Sequence, residues 1–104
     1  MITAIVSAPL PEGLTLEQYT ENTMKIAERF RTIPGLVRKN FLFSADEGKG
    51  GGVYLWESRE AAEACYAGVW RENFIKAFDV DPTIVYYDTP VVVDNAAGEI
   101  RTAA

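Results

Sequence analysis

The stretch Pro34–Ser58 constrains this chain most, because it has the pattern of a β-hairpin set between two helical segments. Residues 36–44 (LVRKNFLFS) and 53–57 (VYLWE) are rich in the β-branched and aromatic side chains that favour strands. Residues 45–52 (ADEGKGGG) are mostly charged or glycine and predict the turn between them. A Pro-Gly pair stops the helix before the hairpin, and Ser58 can cap a helix after it. We therefore expect a hairpin within a domain that mixes helices and strands.

The remaining segments place one strand and one helical region on each side of the hairpin. Residues 2–8 (ITAIVSA) predict a first strand, and Thr15 with Gln18 forms the pattern of a capping box at the start of the first helix. A second helical region follows Ser58 and is interrupted at Gly68. The order β-α-β-β-α-β is completed by a last strand over residues 83–93, and it indicates the ferredoxin-like α+β fold.

In this fold, a four-stranded antiparallel sheet carries helices on one face. Pro90 predicts a bulge or an edge position within the last strand. We expect residues 1–94 to form the single domain and residues 95–104, which are polar and small, to form a flexible tail.

Composition excludes several classes of partner. The net charge of −5, with ten scattered basic residues, argues against a nucleic-acid partner. No apolar run approaches the ~20 residues of a membrane span, so we expect no membrane partner. Cys65 is the single cysteine and cannot form an internal disulfide, which suits a reducing cytoplasm. We expect a cytoplasmic protein.

Both faces of the predicted sheet carry large apolar side chains. In residues 36–44, one face would carry Lys39, Phe41 and Phe43, and the other Arg38, Asn40 and Leu42. Two short helices can cover only one face, and an apolar patch of the remaining size is unusual on a monomer. The sequence therefore predicts a homodimer that forms through the open sheet face, around a two-fold axis.

The segment PGLVRKNFLFSADEGKGGGVYLWESREAAEACY resembles the dimeric α/β-barrel superfamily, and most of all the small monooxygenases of the antibiotic-biosynthesis monooxygenase type. The resemblance lies in the Pro-Gly helix stop, the polar turn, the GGVYLW strand and the S-x-E-A-A helix start. It implies a dimeric α/β barrel with a ligand pocket between the sheet and the helices of each subunit. It also implies a cofactor-independent oxidation of a small or polycyclic aromatic phenol or quinol by dioxygen.

Candidate site residues follow from this implied pocket. Tyr66, Trp70, Phe74 and Phe78 repeat every four residues and could form an aromatic wall with Trp56, although a stripe with helical spacing is more often solid core. The candidate catalytic residues are Asn40, whose amide stands in an apolar and basic strand, and Tyr66. The predicted substrate-binding residues are Arg38, Asn40, Trp56, Tyr66, Trp70 and Phe74.

The chain contains no histidine, which removes the usual general base near neutral pH and the usual axial ligand of haem. No cluster has the spacing of a metal site, so we expect neither a metal nor a cofactor. Two other functions stay open. One is a proton-shuttling isomerase or decarboxylase on the same fold, using Tyr66 or Glu57, and the other is a non-catalytic ligand-binding or interaction dimer.

Overall fold

A computed structural model describes residues 1–102, and these form one four-stranded sheet, three helices and a separate two-stranded hairpin. The strands are β1 (Ile2–Pro9), β2 (Leu36–Ser44), β3 (Lys49–Trp56), β4 (Thr83–Asp88), β5 (Val91–Asp94) and β6 (Glu99–Thr102). The helices are α1 (Leu16–Ala27), continued by a 3₁₀ turn at Glu28–Phe30, then α2 (Arg59–Tyr66) and α3 (Val69–Phe78).

The main sheet has the strand order β2-β3-β1-β4, and every neighbouring pair in it is antiparallel. The helices lie on one face only. The element order and this topology confirm the predicted ferredoxin-like α+β fold.

The helix starts agree with the capping signals in the sequence. The Thr15 hydroxyl accepts a hydrogen bond from the backbone N–H of Gln18 at 3.1 Å, and the Gln18 side chain accepts from the N–H of Thr15 at 3.0 Å. The Ser58 hydroxyl accepts from the N–H of Ala61 at 3.1 Å. These bonds satisfy amides that the first turn of a helix leaves without a partner.

The turn of the central hairpin is shorter than predicted. The sequence pattern assigned residues 45–52 to the turn, whereas β3 already begins at Lys49. Gly50, Gly51 and Gly52 therefore lie in the strand, and all three are buried. Glycine is depleted in strands in general, but here the missing side chains leave room at Gly50 and Gly52 for neighbouring side chains and at Gly51 for the backbone of β1.

The C-terminal part of the chain also differs from the prediction. The segment 83–93 is not one strand, because it breaks before Pro90 into β4 and β5. The predicted flexible tail over 95–104 instead contains β6, which pairs with β5 through Val91↔Thr102 and Asp94↔Glu99. Residues 103 and 104 of that tail lie outside the described part of the chain.

The core lies between the sheet and the helices. Tyr54 and Trp56 of β3 are 2% and 0% exposed, and Ala4, Val6 and Ala8 of β1 are buried beside them. Ala62, Tyr66 and Phe74 close the core from the helix side. Among residues 1–102, no helix combines the length and the apolar character needed to cross a membrane.

Candidate functional site

A cavity of about 670 Å³ lies between the helices and the sheet. Its volume falls within the range of roughly 300–1,000 Å³ that is typical of small-molecule sites. Most of its wall is apolar, with side chains from β2, β3 and all three helices. The aromatic residues that line it are Tyr19, Phe30, Phe41, Tyr54, Trp70, Phe74 and Phe78.

Two tyrosine–tryptophan hydrogen bonds fix the aromatic wall next to β3. The indole N–H of Trp56 donates to the Tyr66 hydroxyl at 3.1 Å, and the indole N–H of Trp70 donates to the Tyr54 hydroxyl at 3.1 Å. The rings of Tyr54 and Trp56 are stacked with only 2° between their planes. Burial raises the pKa of both tyrosines, so both phenols stay protonated at neutral pH.

The aromatic stripe predicted along the second helical region is continuous in the structure. Ring centroids are 4.5 Å apart for Tyr66 and Trp70, 5.2 Å for Trp70 and Phe74, and 4.3 Å for Phe74 and Phe78. The interruption of the helix at Gly68, between α2 and α3, does not disturb these contacts. Trp70, Phe74 and Phe78 line the cavity, whereas Tyr66 and Trp56 lie behind its wall in the core. The sequence left open whether this stripe is pocket wall or core, and in the structure one part of it is wall and the other part is core.

The glycines of β3 make room for the cavity. A Cβ atom on Gly52 would lie 3.1 Å from Cε of Lys39 and 3.2 Å from Cε1 of Tyr54. A Cβ atom on Gly50 would lie 3.1 Å from the Tyr19 ring. Tyr19 also accepts a hydrogen bond from the Gly51 N–H at 3.1 Å, so its ring stands against the strand where side chains are missing. The glycine run therefore allows aromatic residues and Lys39 to approach the strand closely.

Lys39 is the charged group inside the cavity. Its Nζ lies 3.4 Å from the ring centroid of Phe30, 3.8 Å from that of Phe41 and 4.6 Å from that of Tyr54. Burial lowers the pKa of Lys39 from 10.5 to about 7. The amine is therefore near its titration point at neutral pH, and the three rings stabilise its charged form.

Other polar groups lie around Lys39 and at the cavity mouth. The Cys65 thiol lines the cavity, and burial raises its pKa, so it is protonated at neutral pH. Asn22, Arg29 and Asn73 line the exposed part of the wall. Among the described residues, the lining includes two cationic side chains and no Asp or Glu. The cavity is thus positive within a chain whose net charge is −5.

Arg38 and Asn40 do not belong to this cavity. They follow the opposite alternation to Lys39 along β2, and both are exposed on the side of the sheet away from the helices. The Arg38 guanidinium donates to the Asp94 carboxylate at 2.9 Å, which links β2 to β5. The structure therefore does not bring these two residues together with Trp56, Tyr66, Trp70 and Phe74, since the sheet separates them.

The sequence interpretation missed Lys39 as a site residue. The signal was available in the alternation of β2, where Lys39 shares a face with Phe41 and Phe43. That alternation alone leaves open which face meets the helices. The structure resolves it, because Phe41 contacts Phe30 edge to face at 5.6 Å and Phe43 contacts Tyr19 at 5.2 Å.

The residues around the cavity do not offer the usual ligands of haem or of a metal ion. The chain has no histidine, and the thiol of Cys65 and the phenol of Tyr54 are held in their protonated forms by burial. Among residues 1–102, no three His, Cys, Asp or Glu side chains come close enough to hold a metal ion.

Comparisons with known proteins identify similar chains. The family model described as "Putative mono-oxygenase ydhR" matches residues 11–85, which include the hairpin and the helices around the cavity. No curated protein sequence gives a match.

Several solved structures share the fold. A monooxygenase from the gene ActVA-Orf6 of Streptomyces coelicolor, in complex with nanaomycin D, has a TM-score of 0.67 at 19% identity over 88% of this chain and 89% of that one. An antibiotic biosynthesis monooxygenase from Nitrosomonas europaea, described as putative, has a TM-score of 0.63 at 23% identity over 86% of this chain and 98% of that one. A variant of MhuD with two manganese protoporphyrin IX molecules per active site has a TM-score of 0.66 at 17% identity over 90% of this chain and 99% of that one.

Proposed function

Because this chain belongs to the family described as Putative mono-oxygenase ydhR, we propose that it is a monooxygenase that oxidises a small or polycyclic phenol or quinol in the cavity between sheet and helices. The observation that carries the substrate class is the cavity itself. It has about 670 Å³ of space and a wall made largely of aromatic rings. Flat aromatic ligands stack well on such rings, and an apolar wall keeps water from the reacting atoms.

In the proposed reaction the substrate supplies the electrons, so no cofactor takes part. An anthrone-type methylene reacts with dioxygen to give a carbonyl group and water, and each atom of dioxygen is thereby accounted for. The protein would bind the ring system, exclude bulk water and stabilise the anionic form of the substrate that reacts with dioxygen. The positive lining suits that last task, since no carboxylate from residues 1–102 lines the cavity and would repel an anion.

The relatives support the use of this cavity for an organic ligand. One monooxygenase of the same fold binds nanaomycin D, and the MhuD variant binds protoporphyrin molecules in its active site. Their sequence identities to this chain are below 25%, so the substrate class proposed for this chain is argued from its own cavity.

A second copy of the chain would complete the molecule by covering the open sheet face. Asn40, Val53, Ile5 and Val85 lie in one row across the four strands of that face. Ile5 and Val85 are 36% and 43% exposed, and Tyr87 on the same face is 55% exposed. Burial of these side chains against a second copy would remove them from water, and a two-fold axis is the simplest arrangement. The proposed interface lies opposite the cavity.

The experiment measures dioxygen consumption by the purified protein with a panel of anthrone- and quinol-type compounds, together with the incorporation of labelled oxygen into the product. We expect consumption that matches quinone formation and that decreases at least about tenfold in Ala64→Trp, whose larger side chain would enter the cavity. The matched control is Ala67→Trp, because Ala67 is exposed nearby but does not line the cavity.

Each contrary result points to another function. Product formation that proceeds without dioxygen would overturn the monooxygenase in favour of an isomerase or decarboxylase. Binding of the panel without any turnover would favour a ligand-binding protein. Equal activity in Ala64→Trp and in the unaltered protein would remove the cavity as the site.

A further inference from the structure

Lys39 has an unusual position for a lysine, because it is inside an aromatic cavity and has no anionic partner there. Three ring centroids lie within 4.6 Å of its Nζ. None of the five ion pairs among residues 1–102 includes Lys39, and no Asp or Glu lines the cavity. An ammonium group has three N–H donors, and aromatic faces do not replace hydrogen-bond acceptors. A ligand oxygen in the cavity would supply one.

Lys39 is the group that can exchange a proton near neutral pH, because the titratable groups that face it stay protonated. The groups that face it are the phenol of Tyr54 on β3 and the thiol of Cys65 on α2, and Tyr19 and Arg29 reach the same cavity from α1 and its 3₁₀ turn. Burial raises the pKa of Tyr54, Cys65 and Tyr19, so these three groups stay neutral near pH 7. Arg29 lies at the exposed mouth of the cavity.

We propose that Lys39 is the catalytic base of this site, and that its amine takes the proton of an acidic phenol or enol and then holds the resulting anion as an ion pair. The O–H bond of the substrate breaks, its electron pair stays on the oxygen, and the proton forms a third N–H bond on Nζ. The anion and the ammonium remain in contact inside the aromatic wall. This inference rests on the proposed function, in which the anion is the species that reacts with dioxygen, but its test does not require turnover.

The geometry indicates why a lysine suits this role. A permanently charged arginine could hold an anion but could not accept the proton, because its guanidinium is already protonated. A lysine in the unfilled cavity gives up its charge readily, since few polar groups solvate it there. When the phenol arrives and transfers its proton, the new anion supplies the partner that the ammonium lacked. Above about pH 7, the ammonium of Lys39 and the substrate anion are therefore formed together as a matched pair.

The test uses 4-nitro-1-naphthol, a two-ring probe that is already an anion at about pH 8 and whose absorption reports its protonation state. Calorimetric titrations in two buffers with different heats of ionisation count the protons exchanged on binding. For the unaltered protein at about pH 8 we expect uptake of close to one proton, because the neutral amine becomes charged when it binds the anion. The probe spectrum should remain that of the anion.

Two variants separate a base from a merely structural lysine. Lys39→Arg should bind the anion without proton uptake, because its side chain is charged before binding. Lys39→Met should bind the anion about 10- to 100-fold more weakly, since a charge-assisted hydrogen bond is lost. The methyl ether of the probe, which carries no acidic proton, should bind the unaltered protein and Lys39→Met with similar affinity.

The results that overturn the inference are distinct from those that overturn the monooxygenase. Absence of proton uptake by the unaltered protein, failure to bind the anionic probe, or equal affinity of Lys39→Met and the unaltered protein for it would each refute the role of Lys39. Dioxygen consumption that is unchanged in Lys39→Met would refute it too. If proton uptake is found but no compound consumes dioxygen, the monooxygenase fails while the base and the phenol site remain.

Discussion

At the scale of single residues, burial of Lys39 lowers the free energy of unfolding by an amount that depends on pH. Its pKa is lowered by burial from 10.5 to about 7. Below pH 7 the side chain is charged in both the folded and the unfolded protein, and the free-energy cost of burying the charge is fully present. Between about pH 7 and 10.5 the unfolded chain holds a proton that the native protein has released, so the lysine's cost falls as the pH rises.

We therefore expect Lys39→Met to increase the free energy of unfolding at about pH 6, by roughly 1–3 kcal/mol after allowance for partial solvation and the lost contacts with the rings. The gain should shrink as the pH rises towards 9. Urea denaturation of both proteins across this pH range measures it. Lys49→Met is the control, because Lys49 is exposed at the start of β3. A gain that is the same at every pH would contradict the assigned pKa shift.

A second residue-scale prediction concerns Gly51. Its φ of +147° is a conformation that other residues rarely adopt, and a Cβ atom there would collide with the carbonyl oxygen of Val6. We expect Gly51→Ala to destabilise the protein by at least about 2–3 kcal/mol. Gly48→Ala is the matched control, since Gly48 also has a positive φ but has no atom within 4 Å of the added Cβ, and should cost only about 1 kcal/mol. Thermal unfolding distinguishes the two, and equal losses would mean that the collision is relieved by a small shift of β1.

The residues that line the cavity could be predicted from the sequence only in part. Trp70 and Phe74 were predicted to line a pocket, and they line this cavity because their helical spacing is kept in the folded chain. Arg38 and Asn40 were grouped with them but lie on the opposite face of the sheet, because a strand presents alternate residues to opposite faces and the sequence did not determine which face met the helices. Lys39 was overlooked because lysines usually point into water, and only tertiary contacts reveal that this one does not.

At the scale of elements, the start of α2 depends on a single capping residue. Ser58 accepts the Ala61 N–H at 3.1 Å, and α2 positions Cys65 at the cavity and Tyr66 in the core. We expect Ser58→Ala to lower the free energy of unfolding by about 1 kcal/mol, and Ser58→Asp to retain most of it, because aspartate caps helices equally well. Chemical denaturation measures both variants. A loss in Ser58→Asp as large as that in Ser58→Ala would argue against capping as the cause.

Element order was predictable, but two boundaries were not. Helix starts follow from local chemistry, as the Thr15 and Ser58 caps show. The beginning of β3 was not predicted, because three consecutive glycines are typical of a turn. Their role in the strand depends on close contacts with Tyr19, which is distant in sequence, and with Lys39, which lies on another strand. The β5–β6 hairpin was missed because residues 95–104 are small and polar, so local propensity favoured a tail over a strand.

At the scale of the whole molecule, the proposed dimer makes a testable claim about the open sheet face. Ile5 stands in the middle of the row formed with Val53 and Val85 across neighbouring strands. We expect the unaltered protein to sediment with twice the mass of one chain, and Ile5→Glu to sediment as a monomer, because a charge would be buried without a partner at the interface. The control is Met24→Glu, since Met24 is 71% exposed on α1. A monomeric unaltered protein at micromolar concentration would refute the dimer.

Both tryptophans of the chain donate to tyrosine hydroxyls: Trp70 to Tyr54 in the cavity wall, and Trp56 to Tyr66 in the core behind it. The tryptophan emission of this protein therefore originates at the cavity wall and in the core directly behind it. Trp56 is fully shielded from water, whereas Trp70 lines the cavity. A coloured quinone bound there would quench the emission of Trp70 by contact and that of Trp56 by energy transfer past the Tyr54 ring, which lines the cavity and stacks on Trp56. Ligand binding and release can thus be followed by the intrinsic tryptophan fluorescence of the protein, without a label.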